Sequence, residues 1–350
     1  MNKISAVTLV LTNKCNFSCP YCPQQRGKKM LEIEAITAFL DFLKPRLAKE
    51  VWLGFYGGEP LLAWPLVEKT VEYLRKNRKN KFHFTLTTNG SLLKKKHILF
   101  FKENRFELVL SYDGLAQARR DPGSVVAVEK ALADLKELYP EGYTVNSVFT
   151  PRTVSLLANS MEKMMEQGHR NLRYALDLSI PWKKPDLEVL ERQLDQLATI
   201  GMKHRQKNGS VPLENFKEET KKGVFACFGG RDRLALLPDR TIWGCYLFYD
   251  LLGYSPEHPD YEKYCFGKLP AFMRRTAETK AVAAHYRELR QDYFFTAGKK
   301  LCSLCARLEN CSVCPAVAAL ATSRLGVIPP WTCRVKAIQN RCREVFTNSD

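Results

Sequence analysis

The chain of 350 residues contains no long apolar run. No stretch approaches the roughly 20 apolar residues that a membrane-crossing helix needs, so no membrane protein is expected. A secretion signal is missing too. The opening MNKISAVTLVL has one lysine and a short apolar stretch, but Ser5 and Thr8 interrupt it, and TNK stands where a small-residue cleavage site belongs. There is no low-complexity linker and no clear internal repeat. No G-x-G-x-x-G follows the first apolar run, which weakens a dinucleotide-binding reading. The basic runs RKNRKNK (75–81) and KKK (94–96) carry no interleaved aromatics, so a stacking platform for single-stranded nucleic acid has no specific support. The net charge of +17 then reads first as a solvated basic surface. Attraction to an acidic peptide or a nucleic acid is the sharper alternative.

Cysteine is what the sequence has in excess, with 12 residues. A chain of this length buries enough core to need no covalent staples. Disulfide frameworks suit short secreted chains. A reducing cytoplasm is therefore the expected setting, and clustered thiols there mean metal.

Short apolar runs at 5–11, 51–56, 82–88, 106–112, 143–150 and 172–179 read as strands. Amphipathic stretches near 31–47, 64–77, 91–103, 124–138, 153–167 and 186–207 read as helices. Alternation at about 30 residues per unit predicts parallel strands with crossover helices. Six units fit a partial (β/α)6 barrel, with an open doubly wound sheet as the alternative. Past about residue 208 the character changes to cysteine, glycine and short turns, with a hairpin near 233–244 and helices near 270–292 and 334–346. The expected domains are a barrel over 1–207 and a metal-organised module over 208–350.

Cys15, Cys19 and Cys22 have C-x3-C-x2-C spacing in the loop after the first strand, the rim where parallel barrels bind ligands. Three local thiolates on a 4Fe–4S cube leave one iron open for an exogenous ligand. Structural zinc, the alternative, usually pairs C-x2-C with a distant second pair, and no nearby histidine completes a tetrad here. YGGEP (56–60), TTNG (87–90) and SYDG (111–114) end the next three expected strands. Each alone is a common turn.

Taken together, these segments resemble the radical S-adenosylmethionine (SAM) enzymes, whose C-x3-C-x-aromatic-C is matched by Cys15, Cys19, Tyr21 and Cys22. The resemblance covers about 5–180. It implies that the three cysteines hold the catalytic cluster and that Gly57, Gly58 and Glu59 hold the amino group of SAM. The glycines allow close approach, and Glu59 offers charge to an ammonium. Asn89, Ser111 and Asp113 then belong to the SAM pocket, with Ser111 and Asp113 toward its ribose or carboxylate. Arg119 or Arg120 would pair the carboxylate.

The later cysteines, C-x2-C-x5-C-x2-C over 302–314 followed by Cys333, resemble the SPASM extension, which implies two auxiliary 4Fe–4S clusters. Carried across, Cys302, Cys305, Cys311 and Cys333 ligate one cluster. Cys227, Cys245 and Cys314 ligate the other. The family's usual fourth ligand, close after the first of these, is absent here; either Cys265 supplies it from a later loop, the favoured reading, or that cluster keeps an open iron. A zinc ribbon over 302–314 is the alternative. Cys342 lies on an expected helix and reads as non-ligating. The family's glycine five positions before the second extension cysteine is Arg240 here.

The resemblance implies radical oxidation of a ribosomally made peptide or protein side chain. The electron donor would be of the flavodoxin or ferredoxin kind. Sulfatase-maturing members place an aspartate base directly after that second cysteine. Here Tyr246 follows Cys245, which favours thioether or carbon–carbon crosslinking over formylglycine formation. Oxidation of a sugar or cyclitol is the alternative, and RNA modification lacks a recognisable module. The chain begins almost at its first strand, so the peptide-clasping domain of many peptide maturases is not expected within it. Either a separate recognition protein supplies that role, the barrel surface reads the substrate itself, or the substrate is not a leader peptide.

Overall fold

The computed structural model describes residues 3–76, 79–217, 229–253, 255–274, 276–289, 294–311 and 313–347. Along the chain come β1 (Ile4–Val10), α1 (Ile33–Leu43), β2 (Leu47–Tyr56), α2 (Trp64–Arg75), β3 (Lys81–Thr88) and α3 (Lys95–Glu103). Next are β4 (Glu107–Ser111), α4 (Gln117–Arg120), α5 (Val125–Leu138), β5 (Tyr143–Phe149), α6 (Leu157–Glu166), β6 (Leu172–Leu176) and α7 (Lys184–Asn208). The remainder holds β7 (Arg233–Leu236), β8 (Thr241–Trp243), α8 (Tyr246–Leu252), α9 (Tyr261–Tyr264), β9 (Cys265–Lys268), α10 (Leu269–Arg274) and α11 (Thr276–Glu288). Short strands β10 (Thr296–Ala297), β11 (Lys300–Leu301) and β12 (Val327–Ile328), and helices α12 (Pro315–Thr322) and α13 (Pro330–Thr347), complete it. All six expected strands and their intervening helices are present.

The described residues form two compact units. One is drawn from Met1–Ser18, Cys22–Leu108 and Cys227–Leu289, the other from Cys19–Tyr21, Val109–Ala226 and Arg290–Asp350. In the first, strand order is β3-β2-β1-β7-β8-β9. β1 pairs in parallel with β2 and with β7, and β2 with β3. Covered strands of this kind read as apolar runs; Ile4, Val7, Leu9 and Val10 of β1 are all buried. Val10 lies level with Tyr56, so the cysteine loop and the GGEP segment leave the sheet at the same height. The expected hairpin forms as β7 and β8, antiparallel, with β9 added outside. β7 extends this same sheet from the free side of β1. The turn between β7 and β8 needs a left-handed residue, and Arg240 takes it at φ 65°, the conformation for which the family pattern supplies glycine. Its guanidinium pairs with Glu32.

In the second unit β4, β5 and β6 lie in order, with β5 and β6 parallel. α7 buries Leu187, Leu190, Leu194, Leu197 and Ala198 on one face, the spacing of a core-facing helix stripe, and packs against α6 and α13. It ends at Gly209, left-handed at φ 75°, a common C-terminal stop. Gly201 sits beneath the stacked rings of Phe216 and Phe346, 4.1 Å apart. Among the described residues, no helix is long and apolar enough to cross a membrane.

Candidate metal and cofactor site

The loop after β1 is closed at its neck. Leu31 N–H donates to Leu11 O and Asn13 N–H to Lys29 O, while Thr12 Oγ1 donates to Lys29 O and accepts from Lys14 N–H. Within the first unit, Cys15 is half-buried and Cys22 exposed. The GGEP segment grips the start of this loop. Gly58 N–H donates to Thr12 O and Glu59 N–H to Lys14 O, both at 2.9 Å. A methyl group on Gly57, at φ 145°, would reach 2.5 Å from Thr12 O. One on Gly58 would overlap the Lys14 carbonyl and come to 3.0 Å from Cys15 Cβ. The close approach that requires these glycines is made by the cysteine loop's own backbone.

Glu59 is fully buried. Its Oε1 accepts from Leu61 N–H and Thr88 Oγ1, and its Oε2 from Asn89 N–H at 2.8 Å. A carboxylate has about four acceptor sites, so these three bonds leave little capacity for an ammonium. Asn89 Nδ2 donates to Asn16 Oδ1 at 3.0 Å, and Asn16 donates to Ser91. The residue after Cys15 is thereby tied to the end of β3. Thr12, Asn16, Thr88 and Ser91 are positioning residues that sequence reasoning did not single out, although all lie within or beside the quoted motifs.

The same unit holds a second polar group. The Tyr56 and Tyr246 rings lie 4.2 Å apart. Burial raises the Tyr56 hydroxyl above its ordinary value, and Asp250, Cys22 and Cys245 raise it further. Tyr56, then burial, Cys245 and Asp250 do the same to Tyr246. Asp250 stands one turn along α8 from Tyr246, is 9% exposed, and is pushed up to about 7 by burial. Its Oδ2 is buried without a hydrogen-bond partner. Cys265, opposite Trp243 across β8 and β9, is buried and accepts from Gly267 N–H at 3.3 Å. Burial raises its thiol, opposed by Gly267 and the Tyr261 hydroxyl, with Asp239 raising it further. Cys227 lies outside the described residues.

In the second unit, Asp113 is 1% exposed. It accepts from Tyr21 Oη at 2.6 Å and Val148 N–H at 2.8 Å, and pairs with Arg120 at 3.5 Å. Burial raises its carboxyl, opposed chiefly by Arg120. Burial also raises the Tyr21 hydroxyl. Burial works against the charge on Arg120, but Asp113, Tyr21 and Cys19 outweigh it. Cys19, Tyr21, Asp113 and Arg120 thus form one connected group. Arg120 Nε is buried without a partner. Arg119 instead donates to Arg152 O at 2.6 Å, and Ser111 is half-buried at the end of β4.

The same unit gathers the later thiols. Burial pushes Cys302 up to about 11, with Cys333, Cys311 and Cys305 adding to the shift. Cys333 is raised by burial and by Cys305. Thiols gathered closely enough to oppose the ionisation of Cys302 and Cys333 make a costly arrangement without a cation to neutralise them. Cys314 is exposed. Cys342 donates to Leu194 O at 3.1 Å, inside the α7–α13 contact. Among the described residues, no three His, Cys, Asp or Glu side chains converge on a single ion. An iron–sulfur cube takes cysteine thiolates on separate irons, and an all-cysteine donor set has the chemistry to hold one.

Residues 9–153 match the family model of the Radical SAM superfamily. The radical SAM cyclopropyl synthase TigE of Paramaledivibacter caminithermalis is 26% identical over 157 residues, 39% of this chain and 33% of that protein. A cysteine-type anaerobic sulfatase-maturating enzyme of Clostridium perfringens is 31% identical over 192 residues, 50% of this chain and 52% of that one. The chain thus aligns with about a third and about a half of these two relatives. Among solved structures, anSMEcpe with bound AdoMet and Cp18Cys peptide superposes with a TM-score of 0.75 at 17% identity, over 99% of each chain. Streptococcus suis SuiB bound to precursor peptide SuiA gives 0.59 at 13%, over 90% of this chain and 72% of that one. These likenesses show the expected α/β fold. Residues 9–153 thus carry a radical SAM domain.

Proposed function

We infer that this chain is a peptide or protein maturase that begins radical chemistry with SAM at a 4Fe–4S cluster held by Cys15, Cys19 and Cys22. When bound, that cluster supplies the electron that splits SAM to the radical which takes hydrogen from the substrate. The chain's own part is to hold the reactants and exclude water. One observation carries the reading: the GGEP backbone grips the cysteine loop so closely that neither glycine tolerates a side chain. This fixes the direction of Cys15 before any ligand arrives. Tyr21, Asp113 and Arg120 would orient the SAM ribose and carboxylate.

Cys302, Cys305, Cys311 and Cys333 are assigned to one auxiliary cluster, and Cys227, Cys245 and Cys314 to another, within a module over 208–350. Cys265, held by Gly267 and Tyr261, is the candidate fourth ligand of that second cluster, and hydrogen bonds of this kind to a ligand sulfur are compatible with ligation. A peptide substrate is supported by the bound peptides named for anSMEcpe and SuiB. Tyr246 after Cys245 favours crosslinking. Asp250 favours a second reading, formylglycine-type oxidation, because its buried carboxyl supplies a base one turn beyond the family's position.

The test is anaerobic reconstitution followed by measurement of 5′-deoxyadenosine. Cys15→Ala, Cys19→Ala and Cys22→Ala should each abolish its formation while circular dichroism stays unchanged. Undiminished production in any of them would overturn the assignment. Mass spectrometry of the product then separates the two readings, since a crosslink leaves no aldehyde for a hydrazide probe to capture.

A further inference from the structure

Two cavities in the second unit meet at Lys217, and their basic walls have no part in the chemistry above. The larger, about 900 Å³, runs along the C-terminal half of α7. Ile200, Lys203, His204 and Lys207 line it from one helix face, at i, i+3, i+4 and i+7. Met165, Val211 and Pro212 give it an apolar floor, and Arg170 adds charge at the end of α6. The smaller, about 210 Å³, is lined by Lys336, Gln339, Asn340 and Arg343 of α13, again one helix face. Arg173 joins them from β6.

Seven lysines and arginines border the two cavities, against Glu162, Glu166 and Glu214. Lys203, Lys207 and Lys217 are exposed, and Arg170 already pairs with Glu141. Among the described residues, no ion pair engages Lys203 or Lys207. Such a track attracts an anionic polymer. Single-stranded nucleic acid is held in addition by aromatic faces on which its bases stack. Among the described residues, the only phenol or indole ring on these walls is Tyr174, which is 5% exposed. An apolar floor in the larger cavity beneath a cationic rim instead matches a peptide that carries both acidic and aliphatic side chains.

We propose that this double cavity, joined at Lys217, docks an acidic, aliphatic-rich segment of the substrate peptide away from the residue that reacts. The proposal rests on the peptide-maturase reading, and it adds a recognition surface within this chain.

The probe is a fluorescein-labelled peptide of about a dozen residues built on Glu-Leu-Asp-Val repeats. Its binding to the reconstituted protein is followed by anisotropy, beside a lysine-substituted counterpart and an RNA oligonucleotide of equal length. Lys203→Glu/Lys207→Glu should weaken peptide binding about tenfold or more. Lys336→Glu should weaken it at the other end. Lys95→Glu/Lys96→Glu, an equal charge change on α3, should leave it within about twofold. Peptide-independent SAM cleavage and circular dichroism report whether each variant is folded. If the α7 pair fails to fold, the Lys336→Glu result decides. Absence of peptide binding, equal weakening by the α3 pair, or tighter RNA binding lost with the same α7 variant would each overturn the proposal. SAM cleavage tests the maturase reading separately, so peptide binding without cleavage would sink that reading and leave the groove standing.

Discussion

At the scale of residues, spacing shows which atoms can carry chemistry, and contact shows what holds them. The three thiols of the first loop are legible from C-x3-C-x2-C alone. Asn16 and Thr88 are not, because their partners Asn89 and Glu59 lie 73 and 29 positions away. Gly58 is legible as a glycine but not as a clamp. Gly58→Ala should therefore behave as a cluster-loop mutation. The added methyl group must displace Lys14 and Cys15, and SAM cleavage should fall by about a hundredfold, since a shift of about 1 Å can cost that much. Gly209→Ala, at positive φ and with nothing within 4 Å, should cost about 1 kcal/mol of stability and leave cleavage intact. Deoxyadenosine yield and thermal midpoint measured on both variants separate positioning from backbone strain. Asp250 gives a pH prediction at the same scale. Its folded carboxyl is raised to about 7 by burial, above its unfolded value. The buried neutral acid therefore favours the fold at low pH, and that advantage is lost as pH rises from about 4 to 7. Asp250→Asn should remove this slope and gain up to about 4 kcal/mol at pH 8, seen as a higher urea midpoint. If Asp250 is the base, the same variant also loses aldehyde product.

At the scale of elements, periodicity located strands and helices well where one face is buried. The 25-residue α7 was legible because its leucines recur at helical spacing. The small strands β10, β11 and β12 were not, since two-residue pairings carry no period. Nor did pattern show that β7 joins β1, because a four-residue apolar strand reads the same at any sheet edge. The contact between α7 and α13 was likewise hidden. It depends on Gly201, whose missing side chain admits Phe216 and Phe346. Gly201→Val should wedge these rings apart. Overpacking of this kind costs about 1–3 kcal/mol, even though valine is intrinsically the better helix residue. A urea titration followed by far-ultraviolet dichroism should show the loss. An unchanged midpoint would mean that the ring pair adjusts without cost.

At the scale of the whole molecule, acid should weaken both units at once. His97 in the first unit and His169 in the second are buried, and burial lowers each to about 4. His97 is further depressed by Lys96 and Lys94, and His169 by Lys136. His169 is bonded to the Tyr143 hydroxyl at 2.8 Å. Both are neutral in the fold and become charged on unfolding below their ordinary value near 6.5. Their contribution is complete above that pH. It is lost progressively as pH falls from about 6.5 to 4, because the unfolded chain binds the extra protons. This slope opposes that of Asp250 over an overlapping range, and two histidines outweigh one carboxyl, so these groups together should put the stability maximum near pH 7. Replacing each histidine with glutamine should flatten the acid limb in proportion. The proposed clusters set a separate condition. With three four-iron clusters, about twelve irons per chain are expected, and ligand thiolates make metal binding part of folding. Chelation at constant pH 7 should therefore melt the region of Cys302–Cys333 while leaving the β1–β3 core protected. Hydrogen exchange before and after iron removal reads both regions in one experiment. Equal protection of residues 302–333 with and without iron would show that these cysteines pack as ordinary thiols, and the auxiliary cluster assigned to them would fall.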